Sequence, residues 1–80
     1  MAAASKSPAE TELERWRSMS GHVPRVVSES IVGERAEVVL EVEPGHEEWC
    51  YYAWRDEAWT PVHSGNGPTE GWSDPGRYSW

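Results

Sequence analysis

At Pro24 the apolar period of this chain changes, and that change constrains the fold more than any other feature. Before it, Ala9, Leu13 and Trp16 recur at helical spacing; after it, apolar and polar residues alternate. The helical part has a well-marked start. Ser7-Pro8-Ala9-Glu10 matches a capping box, with Ser7 at the N-cap, Pro8 at the first helical position and Glu10 three residues after the cap. Gly21 suits the C-cap and Pro24 closes the segment. Glu12 with Arg15 and Glu14 with Arg17 are i,i+3 pairs. The apolar stripe is narrow, so this helix needs a sheet to lie on.

Beyond Pro24 the sequence predicts four strands. Val26 to Val32 is rich in β-formers, and Gly33-Glu34 suits a tight turn. Ala36, Val38, Leu40 and Val42 point one way, while Glu37, Glu41 and Glu43 point to water, with Val39 the exception. Pro44-Gly45 is a turn signal. Glu48 to Trp54 is the third strand, residues 55–58 a polar turn, and Trp59 to His63 the fourth strand. Pro61 lacks an N–H, which places that strand at an edge. The expected fold is α+β: one N-terminal helix packed on a four-stranded antiparallel meander, followed by an irregular, Trp-containing C-terminal loop. Residues 1–6 are expected to be disordered, 7–72 to form a single domain onto which Trp72 packs back, and 73–80 to be a tail that ends in Trp80.

Six tryptophans and no phenylalanine supply the bulk of what so short a chain can bury. A domain of this size removes only roughly 60–65% of its unfolded surface from water. Cys50 is the only cysteine, so an intrachain disulfide is excluded. The lone thiol, an N-terminus without the apolar core of a secretory signal, and the lack of any run near the ~20 apolar residues of a membrane span give an expectation of a cytoplasmic protein. A net charge of −7 leaves no basic footprint for phosphates, which argues against nucleic acid and against an anionic membrane surface.

Trp49, Trp54 and Trp59, with Tyr51 and Tyr52, crowd one stretch of strand and turn. In the third strand Trp49, Tyr51 and Ala53 alternate with Cys50, Tyr52 and Trp54, so both sheet faces carry large groups while one helix covers one face. The favoured reading is a small non-enzymatic domain that binds a protein partner or a second copy. Tyr52, Trp54 and Trp59 would be its open aromatic face, and Asp56 and Glu57 its rim. No cofactor and no metal is implied, because His22, His46 and His63 show no ligand spacing. Cys50 with His63 as base, or a carboxylate pair from Glu37, Glu41 and Glu43, is weaker than a buried thiol and a solvated strand face. The alternative is a small-molecule binder or enzyme with a site under the Ser64-to-Pro68 loop, using His63 or Glu48 as its polar group. In that loop Gly65 or Asn66 would take a positive φ. A third reading, an acidic decoy for a basic nucleic-acid-binding surface, rests on charge alone.

The run from Ala36 to Trp72 resembles a pattern in short, uncharacterised actinobacterial proteins. It comprises a Val/Leu-rich strand, a Cys-containing strand, a polar turn, a Trp strand and a Ser-Gly-Asn-Gly-Pro loop closing on Gly-Trp. Here Thr69-Glu70 is inserted before Gly71-Trp72. More distantly, a helix followed by a curled antiparallel sheet is similar to cystatin-like and NTF2-like folds. The first pattern carries no known activity, and the second pair of folds hosts both enzymes and non-catalytic dimers, so these resemblances imply the fold and leave function open.

Overall fold

The computed structural model describes residues 6–67. Expectations for residues 1–5, for Pro68, for Trp72 and Trp80, and for the tail over 73–80 lie outside them. The chain runs as helix α1 (Pro8–Ser20) and strands β1 (Arg25–Val32), β2 (Arg35–Glu43), β3 (His46–Arg55) and β4 (Ala58–Asn66). The strands form one antiparallel sheet in the order β1-β2-β3-β4. This is the expected α+β meander.

The helix begins where the capping box places it. The Glu10 amide donates to Ser7 Oγ at 3.1 Å, and the Ser7 amide donates to Glu10 Oε1 at 2.9 Å. It ends at Gly21, whose left-handed backbone (φ 75°) lets its N–H reach the Arg17 carbonyl at 3.0 Å. A tie from the sheet adds to the N-terminus: the Ala9 amide donates to Glu29 Oε2 at 2.9 Å. Of the two helical pairs expected, Glu12 takes Arg15 at 2.6 Å, while Glu14 pairs with Lys6.

Ala9, Leu13 and Trp16 pack on Ala36, Val38 and Leu40 of β2 and on Cys50 and Tyr52 of β3. Val26 and Trp59 pack against the same cluster. The opposite face has its own cluster of Val39, Trp49 and Tyr51, with Val62 against it. Tyr51 and Tyr52, adjacent in sequence, are both fully buried, one on each face.

Three expectations need correction. Glu37 does not face water. It is 8% exposed, because its cross-strand partner is the buried Tyr51 and its neighbours Val39 and Trp49 build a second apolar layer. The fourth strand does not stop at His63; it runs on through Ser64, Gly65 and Asn66, which pair with Cys50, Trp49 and Glu48. The positive φ falls on Gly67 (83°), not on Gly65 or Asn66. Gly65 is small because the Trp49 indole occupies the place a Cβ would take. Among the described residues β4 is at the edge, as Pro61 requires, and Pro61 sits opposite Tyr52 next to a register shift.

Candidate functional site

The hairpin joining β3 and β4 carries four of the five residues proposed for binding. Its two-residue turn is Asp56-Glu57, flanked by the pairs Arg55–Ala58 and Trp54–Trp59. Both turn residues are in the left-handed region, Asp56 at φ 51° and Glu57 at φ 62°. Such turns match the twist of the strands but favour Asn-Gly, since a Cβ is disfavoured there. Asp tolerates that conformation better than Glu, whose longer side chain gains little from a local hydrogen bond. Trp54 and Trp59 meet edge to face, with centroids 5.3 Å apart and planes at 67°. Both rings are half-buried, and the two acids are exposed. Two shallow clefts flank the pair. One, of about 310 Å³, is lined by Glu34, Arg35, Ala53, Trp54 and Arg55. The other, of about 270 Å³, is lined by Lys6, Thr11, Glu57, Ala58 and Trp59.

The fifth residue, Tyr52, is elsewhere. It lies beneath the helix with no exposed surface, so it is unavailable to a partner. The physical reason is a buried polar cluster that the apolar pattern did not reveal. Glu12, 7% exposed, accepts from the Tyr52 hydroxyl, from Arg15 Nη1 at 2.6 Å and from Trp16 Nε1 at 3.0 Å. Glu12 lies between Ala9 and Leu13 on the inward stripe, so its carboxylate needs several donors to be tolerated there. An acid in the middle of an apolar helical stripe was the available signal for this arrangement. Burial, and then the hydrogen bond with Glu12, push the Tyr52 hydroxyl well above its ordinary value of 10.0.

The same surroundings decide the chemistry of Cys50. Its thiol is pushed up from 9.0 to about 12, first by burial and next by the charge of Glu12. Cys50 and His63 lie on opposite faces: Cys50 is on the helix side with Val38, whereas His63 pairs with Tyr51 and lies tilted against the Trp49 indole, with ring centroids 5.5 Å apart. They form no nucleophile–base pair, and a protonated thiol is a poor nucleophile in any case.

Glu48 and His63 are likewise separated. Glu48 is on the helix side, beside Leu40 of β2, where His46 Nε2 is 3.4 Å from its Oε2. There the fold gathers two histidines that sequence spacing kept apart. His22 Nε2 lies 3.1 Å from the Val42 carbonyl. Together with Trp16, Ser20, Glu43, His46 and Glu48 these residues line a cleft of about 330 Å³ at the C-terminal end of the helix. Among the described residues no group of three or more His, Cys, Asp or Glu is placed to hold a metal ion. Among them, too, no helix is long and apolar enough to cross a membrane.

No protein-family model, no curated protein and no solved structure matches the chain.

Proposed function

We propose that the chain is a small acidic, non-enzymatic binding domain that docks a protein partner at the β3–β4 hairpin end through Trp54, Asp56, Glu57 and Trp59. The observation that carries this reading is the turn. Two exposed acids occupy left-handed positions that glycine or asparagine would fill with less strain, directly beside a half-buried tryptophan pair. The occupant that fits is a cationic side chain of a basic segment, laid over the Trp59 indole with Glu57 as counter-charge in the cleft both residues line. The net charge of −7 adds long-range attraction for such a partner.

A second reading, a small-molecule site, is favoured by one observation. The cleft of Trp16, His22, His46 and Glu48 combines an aromatic wall with polar groups at a volume near the lower limit of usual ligand sites, about 300 Å³. That cleft is on the helix side, and one of its lining residues, Glu48, pairs across the ladder with Asn66.

Titration of ¹⁵N-labelled protein with an unstructured lysine-rich peptide separates the two. Saturable shifts of the Trp54 and Trp59 indole N–H signals are expected, weakened in the Asp56→Asn/Glu57→Gln variant and absent in Trp54→Ala. If the peptide leaves both indoles unmoved at saturation elsewhere, the hairpin end is not the docking surface. Shifts at His22 and His46 would move the site to the cleft.

A further inference from the structure

Among the described residues five large apolar side chains are exposed: Met19, Val23, Val27, Ile31 and Val32. Four of them fall within residues 23–32, on β1 or in the approach to it. β1 is also a sheet edge, with β2 as its one strand neighbour among the described residues. Such an edge offers a row of backbone N–H and C=O groups to any passing strand, and proteins usually guard it with proline, lysine, a bulge or an inward-pointing charge. The opposite edge among the described residues is guarded: β4 carries Pro61 next to an irregularity. β1 contains neither proline nor lysine. Its one irregularity lies between Val26 and Ser28, and from Ser28 to Val32 its pairing is regular. Its one acid, Glu29, is drawn to the helix, where it accepts the Ala9 amide.

We infer that β1 is the seam of a homodimer, in which the β1 strands of two copies pair antiparallel across a two-fold axis and join two four-stranded sheets into one. This seam involves no residue of the hairpin end. In antiparallel pairing directly opposed residues share a sheet face. Over the regular stretch Glu29 and Ile31 belong to the helix face, opposite Val38 and Ala36 in the neighbouring strand; Ser28, Ser30 and Val32 belong to the other. A two-fold register must therefore be centred on a residue. Centred on Glu29, it opposes two carboxylates and is disfavoured. Centred on Ser30, it sets Ile31 against Glu29 and Val32 against Ser28. Centred on Ile31, it sets Ile31 against its own copy and Val32 against Ser30. Either of the last two removes Ile31 (49% exposed) and Val32 (61% exposed) from water without opposing like charges. A second copy thus pairs the backbone edge and covers Ile31 and Val32.

The test combines sedimentation equilibrium over a concentration series with hydrogen exchange on the wild-type chain and on Ile31→Asp. In one register the new carboxylate faces Glu29 of the other copy; in the other it faces itself. Ile31 is half-exposed, so the variant monomer should keep its far-UV circular dichroism. The wild type should dimerise, with β1 amides gaining protection as concentration rises, and Ile31→Asp should weaken the dimer about tenfold or more. Ser30→Cys or Ile31→Cys should also form a covalent dimer with oxidised glutathione, while the wild type, whose one thiol is buried, should not. A wild type monomeric throughout the series overturns the inference. So does a dimer that is indifferent to Ile31→Asp, leaves the β1 amides exchanging freely and is cross-linked by neither cysteine. Should Ile31→Asp fail to fold, the two cysteine variants decide the matter alone.

Discussion

Gly65→Ala is the sharpest check on how the second sheet face is packed. Gly65 lies directly across from Trp49 in the β3–β4 ladder, and its backbone does not need the left-handed region. A Cβ built there would lie 2.5 Å from Trp49 Cζ2 and 3.0 Å from Cε2 and Cη2. The indole has little freedom to retreat: it is 5% exposed and stacks on Tyr51 at a centroid distance of 4.6 Å, and Tyr51 is itself fully buried. The methyl must therefore displace a ring from its stack or push β4 outward. Overpacking of this kind costs about 1–3 kcal/mol. Replacing glycine by alanine in a strand returns roughly 0.5–1 kcal/mol through the unfolded chain. The net expectation is a destabilisation centred on about 1 kcal/mol and reaching about 2.5 kcal/mol, with a fall in Tm of roughly 4–8 °C per kcal/mol in a domain of this size. Urea unfolding followed by tryptophan fluorescence measures the change, with near-UV circular dichroism reporting the Trp49 environment. Gly67→Ala is the control. It meets no atom within 4 Å but sits at φ 83°, so its penalty is one of backbone conformation and should not depend on Trp49. In a double-mutant cycle, Trp49→Phe should shrink the Gly65→Ala penalty by about 1 kcal/mol, because the ring edge that clashes is gone. A neutral or stabilising Gly65→Ala, or an equal penalty in both backgrounds, would refute the packing argument.

Other outcomes follow from the helix side and the turn. Tyr52→Phe removes one donor from the Glu12 carboxylate and should cost about 1–2 kcal/mol, whereas Glu12→Ala strands the Tyr52 hydroxyl and the Trp16 N–H together and should cost about 2–4 kcal/mol by urea unfolding. The Cys50 thiol and the Tyr52 hydroxyl both have folded values above their ordinary ones, so the stability they contribute is complete below about pH 9 and is lost as pH rises towards the folded values. Stability measured from pH 8 to 11 should decline, and native Cys50 should resist iodoacetamide at pH 8 until urea exposes it; a flat profile with rapid native labelling would contradict this. Glu41 is held below its ordinary 4.5, first by the hydrogen bond from Arg25 and then by the Gly45 amide, so its contribution is present above that value and lost as pH falls through the folded one. Carbon-detected titration should show Glu41 protonating at a lower pH in the wild type than in Arg25→Gln. Glu57→Gly relieves a left-handed side chain and should raise stability by about 0.5–1 kcal/mol.

The helix, the sheet order and the edge position of β4 were legible because their signals are local. A capping box, a period of two from Ala36 to Val42, and a proline in a strand each act within a few residues. What the sequence withheld was the choice of face. Alternation says that Cys50 and Tyr52 share a side and that Trp49 and Tyr51 share the other, but not which side the helix takes. Volume and polarity settle that. The row of Ala36, Val38 and Cys50 is shallow enough for a helix to approach, and the Tyr52 hydroxyl is the donor that makes Glu12 tolerable at the interface. The His22–His46 cleft was equally out of reach, since it depends on where a helix end meets a strand start. Ser64-Gly65-Asn66-Gly67 read as a loop because glycine usually marks one; here Gly65 marks a close approach by a ring.

That reassignment changes the argument for binding as well as its location. The surplus of large rings was the reason to expect an interface on the sheet, yet Trp49, Tyr51 and Tyr52 are all core residues. What remains is the Trp54–Trp59 pair, and an edge-to-face pair beside a hairpin turn can be explained by cross-strand stabilisation alone, at about 0.2–1 kcal/mol. The pair by itself is therefore no argument for a partner. Two acids in left-handed positions are a different matter, because cross-strand packing of the tryptophans would be served as well, and with less strain, by Asn-Gly. If Glu57→Gly stabilises the domain and leaves peptide binding unchanged, the acids are tolerated and not selected, and the hairpin end is structural. If it stabilises the domain while weakening binding, the strain is retained for the contact that Glu57 makes, which is the trade-off expected at a functional turn.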